Sequence, residues 1–371
     1  MVLLKDTREC LNQFVSCMTE QVFLKGEINW INALKAICIV FIYVHHCEFY
    51  CEQDLGLFRA FYMPFFTNAF FFVSGYLLFR KQLSSDIIKL DASSWMTRWG
   101  GQYLRNVMFK LVIPTMLFTA IAFIPKMIIR AGDMTWLDCI KAILLGESYW
   151  FTCALVVSEL LLFIFLLARS KSIWTYLLFG TVTIFVSLVL NHFDVRFLNN
   201  DSTPWYYKSG LVATFFLAIG GLYWKYEENI DTFLKGRQRL LLVALLAVYV
   251  FVTLCFSENV DCIITNGTIN LLGLLMMLIS TCLLVYVCKL IPSNAFITYI
   301  GRHSIGFYFF CGAIPNILAI ILFKFGFPPS VTTTLICSAI AIGIAYPVVY
   351  IVNRLIPFIF DIRLIRSNLK K

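Results

Sequence analysis

Charged residues are scarce in this chain: they occupy 14% of its 371 positions, whereas hydrophobic residues occupy 60%. The mean hydropathy is +0.82. A soluble domain carries about 25% charged residues, so this composition excludes one. The longest polar stretch inside the chain runs only from Arg80 to about Phe109, which leaves no room for a separate soluble domain. The sequence therefore predicts one integral membrane domain over residues 1–371, with a transmembrane core over 28–357.

Long apolar runs define the predicted fold. Runs of about 18 residues or more, divided by charged breaks, mark helices that cross a membrane. By this criterion the chain is an all-α, polytopic membrane helix bundle of about ten transmembrane helices. The predicted spans cover residues 29–50, 58–79, 109–129, 149–168, 173–192, 209–225, 239–257, 268–290, 299–323 and 331–354.

Positive charge is distributed unevenly between the two sides of this predicted bundle. Of the 30 Lys and Arg residues, 22 lie on the side of the termini and 7 on the other, with Lys35 inside the first span. Because cytoplasmic loops concentrate positive charge, both termini are predicted to be cytoplasmic, with a basic cytoplasmic loop over 80–110. The same bias explains the net charge of +9. Membrane lipids, and no nucleic acid, are therefore the expected surroundings.

The thirteen cysteines form no CxxC pair and no Cys/His spacing typical of a metal site. Neither a metal nor a bound cofactor is therefore expected, and the thiols are interpreted as small core hydrophobes. A disulfide between Cys47 or Cys51 and Cys255 or Cys262 stays open as an alternative. Residues 1–27 contain no apolar core segment, so a cleavable signal peptide is not expected.

The first span carries three ionisable side chains, Lys35, His45 and His46. Such residues are costly inside a membrane and favour a functional site. In an α-helix, eleven residues bring His46 to within about 20° of the face of Lys35 and roughly 16 Å further along, whereas His45 lies about 100° round from His46. The alternative is structural: Lys35 extends toward the lipid headgroups and the histidines lie at the far interface.

Glu159 lies near the middle of the fourth predicted span. A carboxylate at that depth needs a cationic or hydrogen-bonding partner. Lys35 and protonated His46 are the candidates that the sequence offers. The residue fits a structural buried pair as well as a catalytic one.

Five motifs follow one another along the chain. They are LKAICIVFIYVHH at 34–46, FFFVSGYLL at 70–78, FKLVIP at 109–114, YWF at 149–151 and YIGRHSIGFYFF at 299–310. Their order resembles that of acyltransferase family 3, a family of multi-pass, largely bacterial membrane acyltransferases that modify sugar hydroxyls on surface glycans. The resemblance covers nearly the whole chain.

The resemblance implies roles for individual residues. The family's basic residue, ten-residue gap and histidine fall on Lys35 and His46. His46 becomes the expected catalytic residue, either as a general base or as a transiently acylated nucleophile. His45, Lys35, Glu159 and Tyr62 are the residues expected to support it. Lys35 replaces an arginine that is common in the family, so a bidentate contact to phosphate or carboxylate becomes a point-charge contact.

Other positions match less well. The family has a cytoplasmic basic motif that is implicated in acyl-CoA handling. Lys110 falls at a matching position of this motif, whereas the second basic residue, Arg105, is shifted from the expected position. Tyr62 stands where many relatives have a histidine. It can donate a hydrogen bond, but with an ordinary pKa of about 10 it is a poor base near neutral pH. Cys311 occupies the position of a second histidine of the family.

The resemblance therefore implies a membrane O-acyltransferase. Its donor substrate is acetyl-CoA or another acyl-CoA, its acceptor is a glycan or lipid-linked sugar, and its expected location is the bacterial inner membrane. A transporter or flippase of glycan precursors is the main rival, although the chain has no evident inverted repeat. A purely structural membrane partner is the third alternative, and it leaves Lys35, His46 and Glu159 unexplained. The sequence does not fix the oligomeric state, and a homodimer stays open.

Overall fold

A computed structural model describes residues 27–82, 92–129, 135–167, 172–193, 203–256, 267–292 and 294–361. Every regular element in these ranges is a helix. The described residues fall into two compact units. Unit 1 lies within residues 1–54 and 282–349, and unit 2 lies within 55–281 and 350–371.

The α-helices of the described residues are numbered here in chain order. They are α1 Asn29–Tyr50, α2 Leu57–Tyr62, α3 Asn68–Gln82, α4 Ala92–Trp95, α5 Gly101–Val107, α6 Ile113–Ile129, α7 Trp136–Leu145, α8 Trp150–Leu167, α9 Ile173–His192, α10 Tyr207–Leu234, α11 Gln238–Phe256, α12 Leu271–Leu290, α13 Ala295–Arg302, α14 Ser304–Phe310, α15 Ala313–Lys324 and α16 Val331–Leu355. Two π-helical segments, Met96–Gly100 and Met108–Val112, continue the helix from α4 into α5 and from α5 into α6.

Several helices are long and apolar enough to cross a membrane. Within the described residues there are six, or up to eight if each of two bent helix pairs counts as one span. The bent pairs are α7 with α8, at 47°, and α14 with α15, at 43°. The prediction of an all-α protein with membrane-spanning helices is thus confirmed. The first predicted span is also confirmed, because α1 covers the same residues.

Two predicted spans look different in the structure. Residues 58–79 are divided between α2 and α3 by a turn at 63–67 that contains Pro64, and α3 alone has 15 residues. A helix of that length is shorter than the roughly 20 residues that a bilayer core requires. Residues 209–225 lie inside α10, a helix of 28 residues that is not among the spans apolar enough by length and composition.

Unit 1 is organised around α1, which packs most extensively against α13 and also against α14 and α15. The fully buried positions Leu34, Cys38, Tyr43 and Cys47 recur along α1 at helical spacing. The Tyr43 hydroxyl donates a hydrogen bond to the Phe307 carbonyl of α14 at 3.0 Å. The helix that carries Lys35 and both histidines is therefore anchored by the YIGRHSIGFYFF segment.

Unit 2 is organised around α10, which packs against α3, α8 and α9. The backbones of α3 and α10 approach closely at Gly75, where a Cβ would overlap the Leu217 carbonyl. Only a glycine permits that approach, as is common where membrane helices pack. Tyr76, the residue after Gly75, donates a hydrogen bond from its hydroxyl to the Glu227 carboxylate of α10.

Candidate active site

His46 lies in the last turns of α1 and is half-buried. Its ring is stacked on that of Tyr50, one helical turn later, with 6.2 Å between the centroids and 18° between the planes. Among the described residues of unit 1, neither imidazole nitrogen has a hydrogen-bond partner. Within this unit, neither nitrogen is therefore occupied by a hydrogen bond.

His45 has different surroundings. Its Nδ1 lies 3.6 Å from the Glu48 carboxylate, and Glu48 is only 4% exposed. The rings of His45 and His46 are 6.2 Å apart and inclined by 60°. The two neighbouring histidines thus differ in their partners, which agrees with the rotation of about 100° per residue along an α-helix.

The Tyr50 hydroxyl lies beside the break between α14 and α15. A Cβ at Gly312, the residue before α15, would be 3.7 Å from Tyr50 Oη. Cys311, at the same break, is 2% exposed. Broken helices in membrane proteins are tolerated where the backbone lines a cavity or is enclosed by protein, so this break is part of the surroundings of the His46 site.

Lys35 lies three turns before His46 in the same uninterrupted helix. It is half-buried between the buried residues Leu34 and Ala36. At a rise of about 1.5 Å per residue, the two residues are roughly 16 Å apart along the axis. The structure therefore places Lys35 and His46 on one helix without bringing them into contact.

An ion pair that sequence reasoning missed holds the start of α1. Arg302, in the YIGRHS segment, donates from Nε and from a terminal nitrogen to both carboxylate oxygens of Glu27, at 2.7 and 2.8 Å. The Asn32 amide also donates to Glu27, at 3.3 Å. Bidentate pairs of this kind are strong and orient their partners. The motif around Arg302 was the only signal, because nothing local connects it to a residue 275 positions away.

Glu159 lies in α8 of unit 2, and its hydrogen-bond partner is Tyr103 of α5. Tyr103 Oη lies 3.1 Å from the carboxylate and 3.4 Å from the Glu159 carbonyl. The Tyr103 ring packs nearly parallel to Trp99, at 5.1 Å, and to Phe163, at 5.4 Å. The partner is thus a hydroxyl rather than one of the two cations that the sequence offered.

The remaining predicted residues also belong to unit 2. Tyr62 is fully buried at the end of α2, and its ring meets Phe58 and Phe66 edge to face. Arg105 and Lys110 are exposed. Arg105 Nε donates to the Gly101 carbonyl at 3.3 Å, and Lys110 Nζ lies 4.0 Å from the Asp361 carboxylate. The two cations are close in sequence and exposed, and Lys110 already has an ion-pair partner.

The described residues contain no group of three His, Cys, Asp or Glu side chains that could hold a metal ion. Of the thiols considered for a disulfide, Cys47, Cys51 and Cys255 are free. Cys262 lies outside the described residues.

Comparison with known proteins identifies the family of this chain. The model of an acyltransferase domain, that of acyltransferase family 3, matches residues 28–350, nearly the whole chain. No curated protein and no solved structure matches the chain. The matched range contains every residue to which the sequence assigned a site role.

Proposed function

The chain belongs to acyltransferase family 3, and from that premise we propose a membrane O-acyltransferase that moves an acyl group from acyl-CoA to a sugar hydroxyl. The family and the apolar helices support the general activity, that of a membrane acyltransferase. The donor is acetyl-CoA, and the acceptor is a cell-surface polysaccharide or a lipid-linked glycan. No resident cofactor takes part in this reaction.

The observation that carries the proposal is the state of His46. A half-buried imidazole with both nitrogens open within its unit suits a general base near neutral pH. As the sugar oxygen attacks the thioester carbonyl, His46 accepts the hydroxyl proton. The carbon–sulfur bond then breaks, the acyl group stays on the sugar as an ester, and CoA leaves and takes up a proton as the free thiol.

Positive charge supports a donor site in unit 2. Acyl-CoA carries several phosphates, and the exposed side chains of Arg105 and Lys110 offer charge-assisted hydrogen bonds to them. Lys35, on the same helix as His46, supplies a further cation for the donor or the reacting groups. Tyr103 and Glu159 form a hydrogen-bonded pair that supports the helix α5 on which Arg105 lies.

The charge distribution supports an orientation for this protein. With 22 Lys and Arg on one side against 7 on the other, both termini and the 80–110 segment lie in the cytoplasm in the ten-span arrangement. The location is the bacterial inner membrane. Acyl-CoA then approaches from the cytoplasm, and His46 lies toward the outer side, where a glycan on a lipid carrier is accessible.

Replacing Arg105 and Lys110 together with glutamine is expected to weaken acetyl-CoA binding at least about tenfold, since each hydrogen bond to a charged group contributes about 1.5–3 kcal/mol. Binding of radiolabelled acetyl-CoA to the detergent-purified protein measures the effect. Arg239→Gln, at another exposed cation of unit 2, is the matched control and should bind normally. Unchanged binding in the double variant would mean that the two cations only determine topology.

Acceptor-dependent release of the CoA thiol tests the function itself. We expect purified protein to consume acetyl-CoA only when a glycan acceptor is present, and to consume longer acyl-CoA substrates more slowly. A transporter of glycan precursors would move the acceptor across vesicles without any release of CoA. That result would contradict the proposed acyltransferase activity and favour the transporter.

A further inference from the structure

Asn68 lies near the middle of the second predicted span, at the point where the structure breaks the helix. The break is the turn at 63–67 between α2 and α3, and Asn68 is the first residue of α3. Its side chain is completely buried, with 0% exposed. Broken helices at membrane depth are tolerated where their backbone is enclosed by protein or lines a cavity, and transporters use such breaks to bind substrates.

The two polar atoms of the Asn68 side chain differ in their surroundings. Nδ2 donates a hydrogen bond to the Pro64 carbonyl at 2.6 Å. Oδ1 is buried and has no hydrogen-bond partner among the described residues. Exchanging the two atoms of the amide would bring two oxygens to this short distance, so Oδ1 is the open atom. A buried acceptor without a partner costs free energy, which a ligand that donates a hydrogen bond would recover.

The backbone at the start of α3 offers little to an anion. The Ala69 N–H donates to the Phe65 carbonyl at 3.0 Å, and the Phe70 N–H donates to the Thr67 carbonyl at 3.1 Å. The open atom is an oxygen, which repels negative charge. The flanking side chains of Phe65 and Phe70 are only 7% and 8% exposed. Because burial of a charge in apolar surroundings is costly, the chemistry favours a neutral hydrogen-bond donor.

Contacts from two other helices of unit 2 hold the break in place. Tyr249 of α11 donates from its hydroxyl to the Phe61 carbonyl, near the end of α2. Phe151 of α8 packs against Phe70 and Phe71, with ring centroids 5.3 and 4.9 Å apart. The turn and the first residues of α3 are therefore fixed by the fold, as a binding site requires.

Two substrates of the proposed reaction carry neutral donor groups. A sugar ring carries a hydroxyl on most of its carbons, and each hydroxyl needs a partner when it is buried. The pantetheine arm of acyl-CoA is less polar, because its one hydroxyl and two amides are spread along an alkyl chain. A single open oxygen beside apolar side chains therefore suits an amide N–H of this arm better than a sugar.

The other end of α3 points to the same ligand. Its last turn carries Arg80 and Lys81, and both side chains are exposed. In the predicted topology this end is cytoplasmic, where acyl-CoA is made, and positive charge there attracts the CoA phosphates. The helix thus connects a cationic end with an open carbonyl about three turns deeper.

We propose that the Asn68 carbonyl accepts a hydrogen bond from an amide N–H in the pantetheine arm of acyl-CoA. This inference rests on the function proposed above, in which Arg105 and Lys110 contact the phosphates of the same substrate. Asn68 positions the arm and exchanges no proton with it. The residue lies outside the five motifs that carry the family resemblance, so the resemblance assigns it no role.

Equilibrium binding to the full-length protein in detergent tests this contact with two probes. Radiolabelled acetyl-CoA contains the pantetheine arm, whereas adenosine 3′,5′-bisphosphate carries nucleotide phosphates without the arm. We expect Asn68→Leu to weaken acetyl-CoA binding by about three- to tenfold, the range for a hydrogen bond between neutral groups. The same variant should bind the bisphosphate as the wild type does, which also shows that it is folded.

Three further variants sharpen the test. Asn68→Asp should retain most of the acetyl-CoA affinity, because a buried carboxyl stays protonated, donates to Pro64 and keeps an open carbonyl oxygen. Asn229→Leu, the same change at an exposed asparagine of α10, is the matched control and should bind both probes normally. The double variant of Arg105 and Lys110 should bind both probes more weakly.

Equal affinity of the wild type and Asn68→Leu for acetyl-CoA would overturn the contact and leave Oδ1 to a structural water. Equal losses for both probes in Asn68→Leu would also overturn it, since a disturbed fold explains them. Neither measurement contains a glycan. A loss confined to acetyl-CoA, without acyl transfer by the wild type, would therefore keep the contact and refute the proposed function. Transfer by the wild type, with unchanged binding in Asn68→Leu, would do the reverse.

Discussion

Replacing His46 with glutamine is expected to abolish acylation of the glycan while the protein remains in the membrane at normal abundance. Glutamine keeps much of the size and hydrogen-bonding capacity of the imidazole, but it cannot accept a proton from the acceptor. Loss of a general base costs about 10²–10⁴-fold in rate. The ester content of the surface glycan, measured by mass spectrometry beside a quantitative immunoblot of the membranes, checks both parts of this expectation.

His45→Gln is the matched control for His46→Gln. The two residues are adjacent in α1, but His45 lies against the Glu48 carboxylate and His46 against Tyr50. We expect His45→Gln to lower the rate of acylation by about tenfold at most, below the range for removal of a general base. Equal losses in both variants, or retained acylation in His46→Gln, would contradict the assignment of His46.

Gly301→Ala is expected to destabilise unit 1 severely. Gly301 of α13 packs against the backbone of α1, and a Cβ there would overlap the Asn32 carbonyl. Backbone cannot move aside as a flexible side chain can, so the two helices would have to separate. Overpacking of this kind costs about 1–3 kcal/mol and occasionally more, and it would also disturb the nearby pair of Arg302 and Glu27. Thermal unfolding of the purified protein and its abundance in membranes report the loss.

Gly343→Ala provides the control within the same unit. A Cβ at Gly343, in α16, would meet no atom within 4 Å. Because alanine is favoured over glycine inside a helix by up to about 1 kcal/mol, this variant should unfold at the same or a higher temperature. An unchanged unfolding temperature in Gly301→Ala would show that α1 and α13 do not pack as described.

The sequence predicted the first helix well because its signals are local. An apolar run bounded by polar residues gave the limits of α1, and the helical repeat placed Lys35 and His46 on one face with His45 turned away. The different partners of His45 and His46 agree with that geometry. The structure of residues 58–79 was harder to predict from the sequence. The apolar run is nearly continuous there, but a turn that contains Pro64 divides it into two helices.

Partners across the fold could not be predicted from the sequence. Tyr103 and Glu159 are 56 residues apart, and Arg302 and Glu27 are 275 apart. Neither pair shares a local pattern, since each depends on how separate helices pack. Lys208 shows the same limit: the sequence counts it as one outer cation among seven, and only the structure shows that it is buried.

Transfer of label from acetyl-CoA to a glycan by purified protein tests the central claim most directly. Wild-type protein in lipid vesicles is incubated with acetyl-labelled acetyl-CoA and a lipid-linked glycan, and the recovered glycan is treated with mild base. We expect the wild type to transfer label to the glycan, and we expect mild base to release that label, as it does from an ester. We expect no label in the glycan with His46→Gln. Absence of ester-linked label with the wild type, or equal label with His46→Gln, would contradict it.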